Sequence, residues 1–426
     1  MKILKIIHGY PPNYNAGSEV YSQSICEELA KRHQIIVFTR EENFYIADHS
    51  IRKEYRHNIV FYIVNKAREK DTYCHNDLDR LFAEIIQTEQ PDVAHIGHLN
   101  HLSTGLVEEL KKQNIPIVFT LHDFWLMCPR GQFLQVNFAN PDFHQLCDGQ
   151  ENRKCAINCY NRCFSGKSEN YDADLQYWEN WIGSRMNETR QMIDLVDIFI
   201  APSRYLLNRF VIDFGVPAPK ILYLDYGFPL HYLSPIVAKN KTYFTFGYIG
   251  THIPSKGIDL LLNAFSKITE KSRLKIWGRE NGQSTQSLKI MASNSINEVH
   301  FMGEYINSNL VHEVFINIDC IVVPSIWGEN SPLVIHEAQA CKIPVITANF
   351  GGMSEYVQHL INGLLFQHRN VDDLAEKMLW ALQNPNKMRE LGEKGYLYDK
   401  NGSVPDIEKH CTTLEIIYQK LIDDKV

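Results

Sequence analysis

The sequence predicts two doubly wound α/β domains, each built on a parallel β-sheet. Short apolar runs rich in Ile, Val and Phe alternate with longer amphipathic stretches, which is typical of repeated strand-helix units. This pattern runs twice, before and after a turn-rich tract at residues 226–243. A chain of 426 residues that is 44% hydrophobic is long enough for two such domains, each with its own core.

The first domain is predicted over residues 1–228. A helix is expected from Ser18 to Arg32, because its apolar residues share one face and Ser18 can cap its start. A cysteine-rich insertion at about 128–165 interrupts the strand-helix pattern. The strands of this domain are expected at 3–8, 35–39, 58–64, 92–96, 116–121 and 197–202.

The second domain is predicted over residues 240–400, after a linker in the turn-rich tract. Residues 404–426 are expected to form a C-terminal amphipathic helix that could pack on either domain, including back on the first. The strands are expected at 244–250, 273–278, 298–303, 319–325 and 344–348. The helices are expected at about 256–270, 308–317, 332–341 and 372–383.

Composition excludes several classes of function. The net charge of −7 and a pI near 6.2, with no block of like charge, argue against a nucleic-acid partner. The N-terminal apolar run is much shorter than a membrane span or the apolar core of a signal peptide. The expected location is therefore the cytoplasm, with at most peripheral contact at the inner face of the membrane.

Four loops that follow predicted strands are the candidate ligand sites. No GxGxxG follows the first strand and no GxxxxGK[ST] occurs, which disfavours dinucleotide and P-loop enzymes. Open parallel sheets nonetheless bind ligands beyond the carboxyl ends of their strands. The four loops are HGYPPNYNAGSE (8–19), TLHDFW (120–125), GYIGTHIPSKGIDLLLNAF (247–265) and GENSPLVIHEAQACKIPVITANFGG (328–352).

Each loop offers a candidate ligand-binding residue. Gly17 precedes a helix N-terminus, which favours an anion, although a plain turn is the alternative. Lys256 at a helix start can meet phosphate oxygens, or be a solvated lysine. His122 ends a strand and could instead only cap or pack there. Glu329 lies in a loop and Glu337 about a turn and a half into the next helix, so both could touch one ligand.

These motifs together resemble retaining glycosyltransferase family four, which has the GT-B fold. The resemblance rests on the Glu329 to Glu337 stretch with Gly351 and Gly352 downstream, YIGxxxPSKG, the AGSE loop and LHD at a strand end. It covers nearly the whole chain in the expected order. It implies two Rossmann-like domains that face a central cleft.

The resemblance also implies roles for individual residues. Glu337 would accept hydrogen bonds from the ribose, Glu329 would hold hydroxyls of the donor sugar, and Lys256 would neutralise the diphosphate. His122 would lie beside the reacting sugar, so the expected catalytic residues are His122, Lys256 and Glu329. The expected donor-binding residues are Gly17, Thr251, Lys256, Arg279, Tyr305, Glu329, Asn330, Ser331, Pro332, Leu333, Val334 and Glu337.

The chain departs from the family pattern at two places. Thr251 stands where the family usually has an arginine, so Arg279 or Arg204 would have to supply the second phosphate cation. The usual Glu-Gly-Phe-Gly-Leu is here Glu-Asn-Ser-Pro-Leu, and Pro332 has no N–H to donate. The cysteine-rich insertion lies outside the common core and is expected on the acceptor side.

The implied reaction is the transfer of a hexose with retention of anomeric configuration. The negative charge that develops on the leaving diphosphate would be stabilised by Lys256 and by helix-terminal N–H groups, without a catalytic metal. UDP-glucose is the favoured donor and GDP-mannose the second choice. The acceptor would be a saccharide or lipid-linked saccharide of a cell-surface polysaccharide. The alternatives are a GT-B nucleotide-sugar epimerase and a non-catalytic nucleotide-sugar-binding protein.

The cysteine-rich insertion raises a separate hypothesis of a structural metal. Cys147, Cys155, Cys159 and Cys163 lie within seventeen residues, and the last three are spaced by four. Such thiols could hold a closed tetrahedral zinc that staples the insertion, although the spacing differs from a zinc knuckle. Reduced buried cysteines, or disulfides formed after purification, are the alternatives.

Overall fold

The computed structural model of the chain describes residues 1–67, 73–136, 144–165, 170–236 and 243–425, with the backbone alone at 162–165. The chain folds as two compact units. The first contains Met1–Gly227 and Ile407–Val426, and the second contains Phe228–Asp406. Both are parallel-sheet α/β units, which confirms the predicted fold class.

The first unit is built on an eight-stranded sheet in the order β3-β4-β2-β1-β5-β6-β7-β8. All described pairings are parallel except that of the edge strand β3 with β4. The central strands are mostly apolar and buried, as expected for a sheet that is covered on both faces, and their buried polar residues include Lys5, His95 and Thr120. The strands are β1 (Lys2–Ile6), β2 (Gln34–Glu41), β3 (Ile51–Arg56), β4 (Ile59–Asn65), β5 (Val93–Ile96), β6 (Ile117–Thr120), β7 (Ile198–Ala201) and β8 (Ile221–Tyr223).

The first helix begins one residue earlier than predicted, and its cap differs. The helix runs from Gly17 to Leu29, and Ala16 precedes it without a side-chain cap. The Ser18 hydroxyl, already inside the first turn, donates to Oε2 of Glu19 at 2.8 Å. The prediction that Ser18 caps the helix is therefore wrong. The helices of this unit are α1 (Gly17–Leu29), α2 (Asn76–Glu89), α3 (Leu106–Lys112), α4 (Asn152–Cys155), a π-helix (Ala156–Ser165), α5 (Tyr171–Leu195), α6 (Arg204–Ile212) and the C-terminal α14 (Ile407–Asp423).

The C-terminal helix α14 packs against α1 within the first unit. Its residues Leu414 and Tyr418 are fully buried. The Tyr21 hydroxyl and His410 Nε2 are 2.7 Å apart, and Nε of Arg32 donates to Glu415 at 2.9 Å. The last residues of the chain therefore complete the core of the first unit.

The second unit is built on a six-stranded parallel sheet in the order β11-β10-β9-β12-β13-β14. The strands are β9 (Phe244–Ile249), β10 (Ser272–Trp277), β11 (Glu298–Gly303), β12 (Cys320–Val323), β13 (Val345–Ala348) and β14 (Gly363–Phe366). The chain moves outward from β9 to β11 and then returns to place β12 beside β9. Ligands of such sheets bind at this switch, beyond the carboxyl ends of the two neighbouring strands.

Two of the predicted helices of the second unit differ in the structure, and the helices Gly282–Ala292, Met353–Tyr356 and Pro385–Lys394 were not predicted. The helix expected at 308–317 is broken into short helical turns, of which Leu310–Glu313 is α-helical. The helix expected from 256 begins at Ile258, because Lys256 ends a 3₁₀ turn and Gly257 has φ +68°. The helices are α7 (Ile258–Phe265), α8 (Gly282–Ala292), α9 (Leu310–Glu313), α10 (Leu333–Ala340), α11 (Met353–Tyr356), α12 (Val371–Gln383) and α13 (Pro385–Lys394).

Across the parts of the chain that the structure describes, every helix is too short or too polar to cross a membrane.

We predict that the buried face of α14 stabilises the first unit. Leu414→Ala should lower the free energy of unfolding by about 2–5 kcal/mol, because it leaves a cavity at a fully buried position. Ile416→Ala is the matched control: that side chain on the same helix is 66% exposed, so we expect a change within about 0.5 kcal/mol. Denaturant titration of both variants measures the difference, and equal effects would contradict this account of α14.

Candidate active site

The loops after β9 and β12 approach each other at the switch of the second sheet. The Ile326 N–H donates to the Ser255 carbonyl at 3.0 Å and ties the two loops together. Gly257 permits this approach, since a Cβ there would lie 2.1 Å from the Pro324 carbonyl oxygen. The predicted residues Lys256 and Glu329 belong to these two loops, and the fold brings them into contact.

Glu329 is the acceptor on which this loop pair converges. Its Oε1 accepts hydrogen bonds from Lys256 Nζ at 2.6 Å, Ser325 Oγ at 2.7 Å and Trp327 Nε1 at 2.9 Å. The side chain is only 7% exposed, so its charge depends on these donors. The described residues form no hydrogen bond to Oε2, which leaves that oxygen for a ligand hydroxyl.

The glycines after β13 pack directly on the Glu329 loop. The Gly352 N–H donates to the Glu329 carbonyl at 2.7 Å. A Cβ on Gly352 would lie 1.4 Å from the Asn330 carbonyl oxygen, so no other residue fits without moving that loop. The connection between β13 and α11 therefore fixes the backbone of the Glu329 loop.

The N-terminus of α10 follows this loop. Asn330 and Ser331 are buried, and the helix begins at Leu333 and continues with Val334. Pro332, which the sequence placed in the first helical position, instead precedes the helix with extended backbone (ψ 117°). Because the first N–H groups of a helix lack intrahelical partners, Leu333 and Val334 offer donors to an anion.

Glu337 lies farther along α10 and is partly buried. Burial raises the pKa of its carboxyl to about 7. The pKa of Tyr305, which follows β11, is raised first by burial and second by the charge of Glu337. The two side chains therefore lie near each other.

Thr251 and Arg279 occupy neighbouring loops of the second unit. The His252 N–H donates to the Arg279 carbonyl at 3.0 Å, and Arg279 itself is exposed. The other candidate cation, Arg204, lies in the first unit with its guanidinium 4.5 Å from the Tyr223 ring centroid. Arg279 is thus the candidate that shares a unit with Lys256.

In the first unit, three histidines stand at the same place on three adjacent strands. His8, His98 and His122 each lie two residues beyond the last residue of β1, β5 and β6. The His8 and His98 rings are 4.5 Å apart between centroids. Only His122 was predicted; the signal that could have found the others is this shared offset at the carboxyl end of each strand.

His122 is held in this row by a tyrosine. Its Nδ1 is 2.6 Å from the Tyr226 hydroxyl, and its Nε2 is buried with no hydrogen-bond partner among the described residues. Burial, and secondly the charge of Lys5, lowers the pKa of His122 well below its ordinary value, so the imidazole is neutral. A neutral imidazole can donate or accept one hydrogen bond with its free nitrogen.

Gly17 and Glu19 stand at the start of α1, at the other side of the histidine row. Gly17 is exposed and opens the helix, so its N–H is one of the unpaired donors. Glu19 is 3% exposed, and its Oε1 lies 3.4 Å from His8 Nε2. Sequence reasoning quoted Glu19 in the AGSE motif but assigned it no role.

The cysteines of the insertion surround one small cavity. Cys128, Cys147, Cys155 and Cys159 line it, and burial raises the pKa of both Cys155 and Cys159 to about 12. The side chain of Cys163 lies outside the described residues. Among the described side chains, no three Cys, His, Asp or Glu are grouped so that they could hold a metal ion. The zinc hypothesis therefore stays a prediction.

Known proteins of similar sequence and fold place these features in context. The chain is 26% identical over 238 residues to a GDP-mannose-dependent monoacylated alpha-(1-6)-phosphatidylinositol monomannoside mannosyltransferase of Corynebacterium glutamicum, which covers 51% of this chain and 61% of that protein. Matches to the first curated relatives span between 33% and 61% of the relatives' own length.

Two solved structures share the fold over nearly the whole chain. Sucrose-phosphate synthase of Thermosynechococcus elongatus has a TM-score of 0.69 at 18% identity and covers 99% of each chain. HepE of Anabaena in complex with UDP-glucose has a TM-score of 0.61 at 16% identity and covers 100% of this chain and 99% of its own.

The family models agree with the motifs found in the sequence. "Glycosyltransferase Family 4" matches residues 16–228, and "Glycosyl transferases group 1" matches residues 233–398. These matches include the histidine of the LHD motif, the lysine of the PSKG motif and both glutamates of the loop-helix stretch. The chain therefore belongs to glycosyltransferase family four and is a glycosyltransferase of GT-B fold.

Proposed function

We propose that this glycosyltransferase transfers a hexose from a nucleotide-sugar, with UDP-glucose as the favoured donor, and retains the anomeric configuration. The acceptor is a saccharide or lipid-linked saccharide in the synthesis of a cell-surface polysaccharide. The observation that carries the proposal is the contact of Lys256 with Glu329 at the switch between β9 and β12. At this switch the cation for the diphosphate, Lys256, lies next to the carboxylate for the sugar, Glu329.

The Lys256 ammonium supplies charge where the reaction develops it. When the sugar leaves, negative charge grows on the diphosphate, and a nearby ammonium stabilises that charge more in the transition state than in the bound donor. Ser325 and Trp327 continue to hold Glu329 when Lys256 shares its hydrogen bonds with a phosphate. The carboxylate thus stays in position to receive sugar hydroxyls at Oε2.

The start of α10 gives the same diphosphate a second set of donors. Its unpaired N–H groups at Leu333 and Val334, together with the helix dipole, favour an anion. Arg279 replaces the cation that the family usually has at the position of Thr251. With these groups the leaving group needs no catalytic metal, and a phosphate oxygen takes the proton of the acceptor as it attacks from the leaving-group side.

The choice of donor and acceptor draws support from the similar proteins. HepE of Anabaena was crystallised with UDP-glucose, and the Corynebacterium relative is named for GDP-mannose and a lipid acceptor. UDP-glucose is therefore the first donor to test and GDP-mannose the second. A lipid-linked acceptor is consistent with peripheral contact of the protein with the inner face of the membrane, which we expect from the sequence.

Slow hydrolysis of the donor tests the proposed function without knowledge of the acceptor. The protein incubated with UDP-glucose should release UDP and glucose, and early NMR spectra should show α-glucose as the first anomer formed. Lys256→Ala should lower the rate about 100-fold, because one preorganised charged donor is lost. Lys267→Ala is the control: this exposed lysine near the end of α7 pairs with Asp372 and should leave the rate unchanged.

β-Glucose as the first product would overturn the retaining mechanism. If Lys256→Ala hydrolyses the donor as fast as Lys267→Ala does, Lys256 is a solvated lysine without a role in the reaction. If a nucleotide with an altered sugar forms in place of free sugar, the epimerase alternative is correct. Binding without turnover of either donor would favour a binding protein.

We predict that donor affinity rises with pH through the titration of Glu337. The carboxyl of the free protein has a pKa of about 7, whereas the ribose hydroxyls need the carboxylate as acceptor. Binding below that pH must therefore release a proton, and calorimetric affinity for UDP-glucose should weaken from about pH 8 to about pH 6. Glu337→Gln should remove this dependence and cost about 1–3 kcal/mol of binding at high pH.

The same substitution should stabilise the ligand-free protein. Because the pKa of Glu337 is raised in the folded state, its charge opposes folding as pH rises above the value in the unfolded chain. Glu337→Gln should thus raise the thermal midpoint near pH 8, while Glu390→Gln on the exposed face of α13 should change neither affinity nor its pH dependence. An unchanged pH dependence in Glu337→Gln would exclude Glu337 as the ribose acceptor.

The zinc hypothesis predicts about one equivalent of zinc per chain in protein purified under reducing conditions. Cys155→Ser should lose that zinc, whereas Cys74→Ser, at an exposed position outside the insertion, should keep it. Elemental analysis measures both. Zinc below about a tenth of an equivalent, with all thiols titratable, would remove the hypothesis and leave reduced cysteines.

A further inference from the structure

A network of hydrogen-bonded side chains fills the core of the first unit beneath the histidine row. His95 on β5 lies 2.6 Å from the Tyr418 hydroxyl through Nδ1 and 2.7 Å from the Thr120 hydroxyl through Nε2. Both of its ring nitrogens are therefore paired. His95 is therefore fully hydrogen bonded, as buried polar groups in folded proteins usually are.

His122 has the same kind of tyrosine partner but leaves one nitrogen unpaired. Its Nδ1 is 2.6 Å from the Tyr226 hydroxyl, the same distance as in the pair of His95 and Tyr418. No described atom bonds to its buried Nε2. An unpaired buried nitrogen costs stability, and this one lies beyond the carboxyl end of β6, where parallel sheets bind their ligands.

His98, which also belongs to the histidine row, has a partner for each of its ring nitrogens. Its Nδ1 accepts from the Asn100 N–H at 2.9 Å, and its Nε2 faces Asp123 Oδ2 at 3.4 Å. The groups around His122 include five that lie on or after strands and one on α1, namely Lys5, His8, His95, His98, Tyr226 and Tyr21. Tyr226 is the group among them that is hydrogen bonded to the His122 ring.

The Tyr226 hydroxyl determines which nitrogen of His122 carries the proton. The imidazole is neutral, so one nitrogen donates and the other accepts. A phenolic hydroxyl is a more acidic donor than a neutral imidazole N–H, and the imidazole nitrogen is the more basic acceptor. The hydroxyl therefore donates to Nδ1, which places the ring proton on Nε2.

The two rings are also held in a fixed relative orientation. Their centroids are 5.6 Å apart with an interplanar angle of 22°, and Tyr226 is only 5% exposed. Tyr21 packs against both rings, at 4.5 Å from Tyr226 and 5.6 Å from His122. Neither ring can turn without disturbing the other.

We propose that Tyr226 is a positioning residue that holds His122 in the tautomer with a protonated Nε2. His122 then presents an N–H donor to an oxygen of the donor sugar and does not act as a base. The inference rests on the proposed function and on the position beside the reacting sugar that the family resemblance implies for His122. To the proposed function it adds which ring nitrogen of His122 carries the proton, and that Tyr226 determines this.

Nitrogen NMR of histidine-labelled protein reads the tautomer directly. His122 is assigned by the signals that disappear in His122→Asn. In the unmodified protein we expect a protonated Nε2 and an unprotonated Nδ1 at this residue. In Tyr226→Phe, which keeps the ring and removes the hydroxyl, we expect the two tautomers to mix.

Tyr418→Phe is the matched control. It removes a hydroxyl at the same 2.6 Å from a histidine Nδ1 in the same unit, but from His95. We expect it to change the signals of His95, to leave those of His122 unchanged and to leave turnover unchanged. Thermal midpoints of both variants show whether an effect comes from lost packing or from the change of the His122 tautomer.

The kinetic consequence of Tyr226→Phe should fall on turnover. We expect kcat for UDP-glucose hydrolysis to drop about threefold to tenfold, with KM little changed, since one hydrogen bond is lost behind the reacting group. A protonated Nδ1 in the unmodified protein, or an unchanged tautomer in Tyr226→Phe, would overturn the inference.

Failure of the proposed function gives a different result. If His122→Ala leaves turnover unchanged, His122 does not serve the reaction, whatever its tautomer. If His122→Ala abolishes turnover while Tyr226→Phe changes neither tautomer nor kcat, His122 acts without Tyr226 and only the inference fails.

Discussion

The carboxylate of Glu329 is the group on which the site of the second unit depends. A carboxylate that is almost wholly buried is tolerated only when charged and polar donors surround it. Here Lys256 comes from the loop after β9, while Ser325 and Trp327 come from the loop after β12. Gly352 then fixes the backbone of the same loop from β13. Three connections must therefore have their native geometry before the lysine has a defined position.

The first unit obeys the same topological rule with different chemistry. Its sheet also reverses direction, between β1 and β5, and the residues beyond these strands converge. Two of the residues beyond the strands of this sheet are His8 and His122, and burial is the chief cause that lowers the pKa of each, so both imidazoles are neutral. The second unit thus has a charged pair at its switch, whereas the first unit has neutral imidazoles there.

The sequence predicted the fold because strand periodicity is a local property, and the central strands lie within one or two residues of their expected bounds. The edge strand β3 (IRKEYR) was missed because it is charged, and β8 because it has only three residues. The strand β14 has four residues, as β5 and β6 do, so its length does not explain why it was missed. The loops that carry Lys256 and Glu329 were predicted from their motifs. Their mutual contact was not, because it joins residues 73 positions apart and depends on β12 returning beside β9.

Several buried groups oppose the stability of the ligand-free protein. His122 Nε2 lacks a partner, burial raises the pKa of Glu337 to about 7, and burial lowers that of Lys5 to about 8. Apolar residues of similar size would stabilise such positions. Departures from local stability rules are expected where a ligand completes the interactions. Glu337 beside Tyr305 and His122 at the end of β6 are such positions, one in each unit. In the proposed function the ribose supplies hydroxyls to Glu337, so donor binding should relieve the cost that the free second unit carries there.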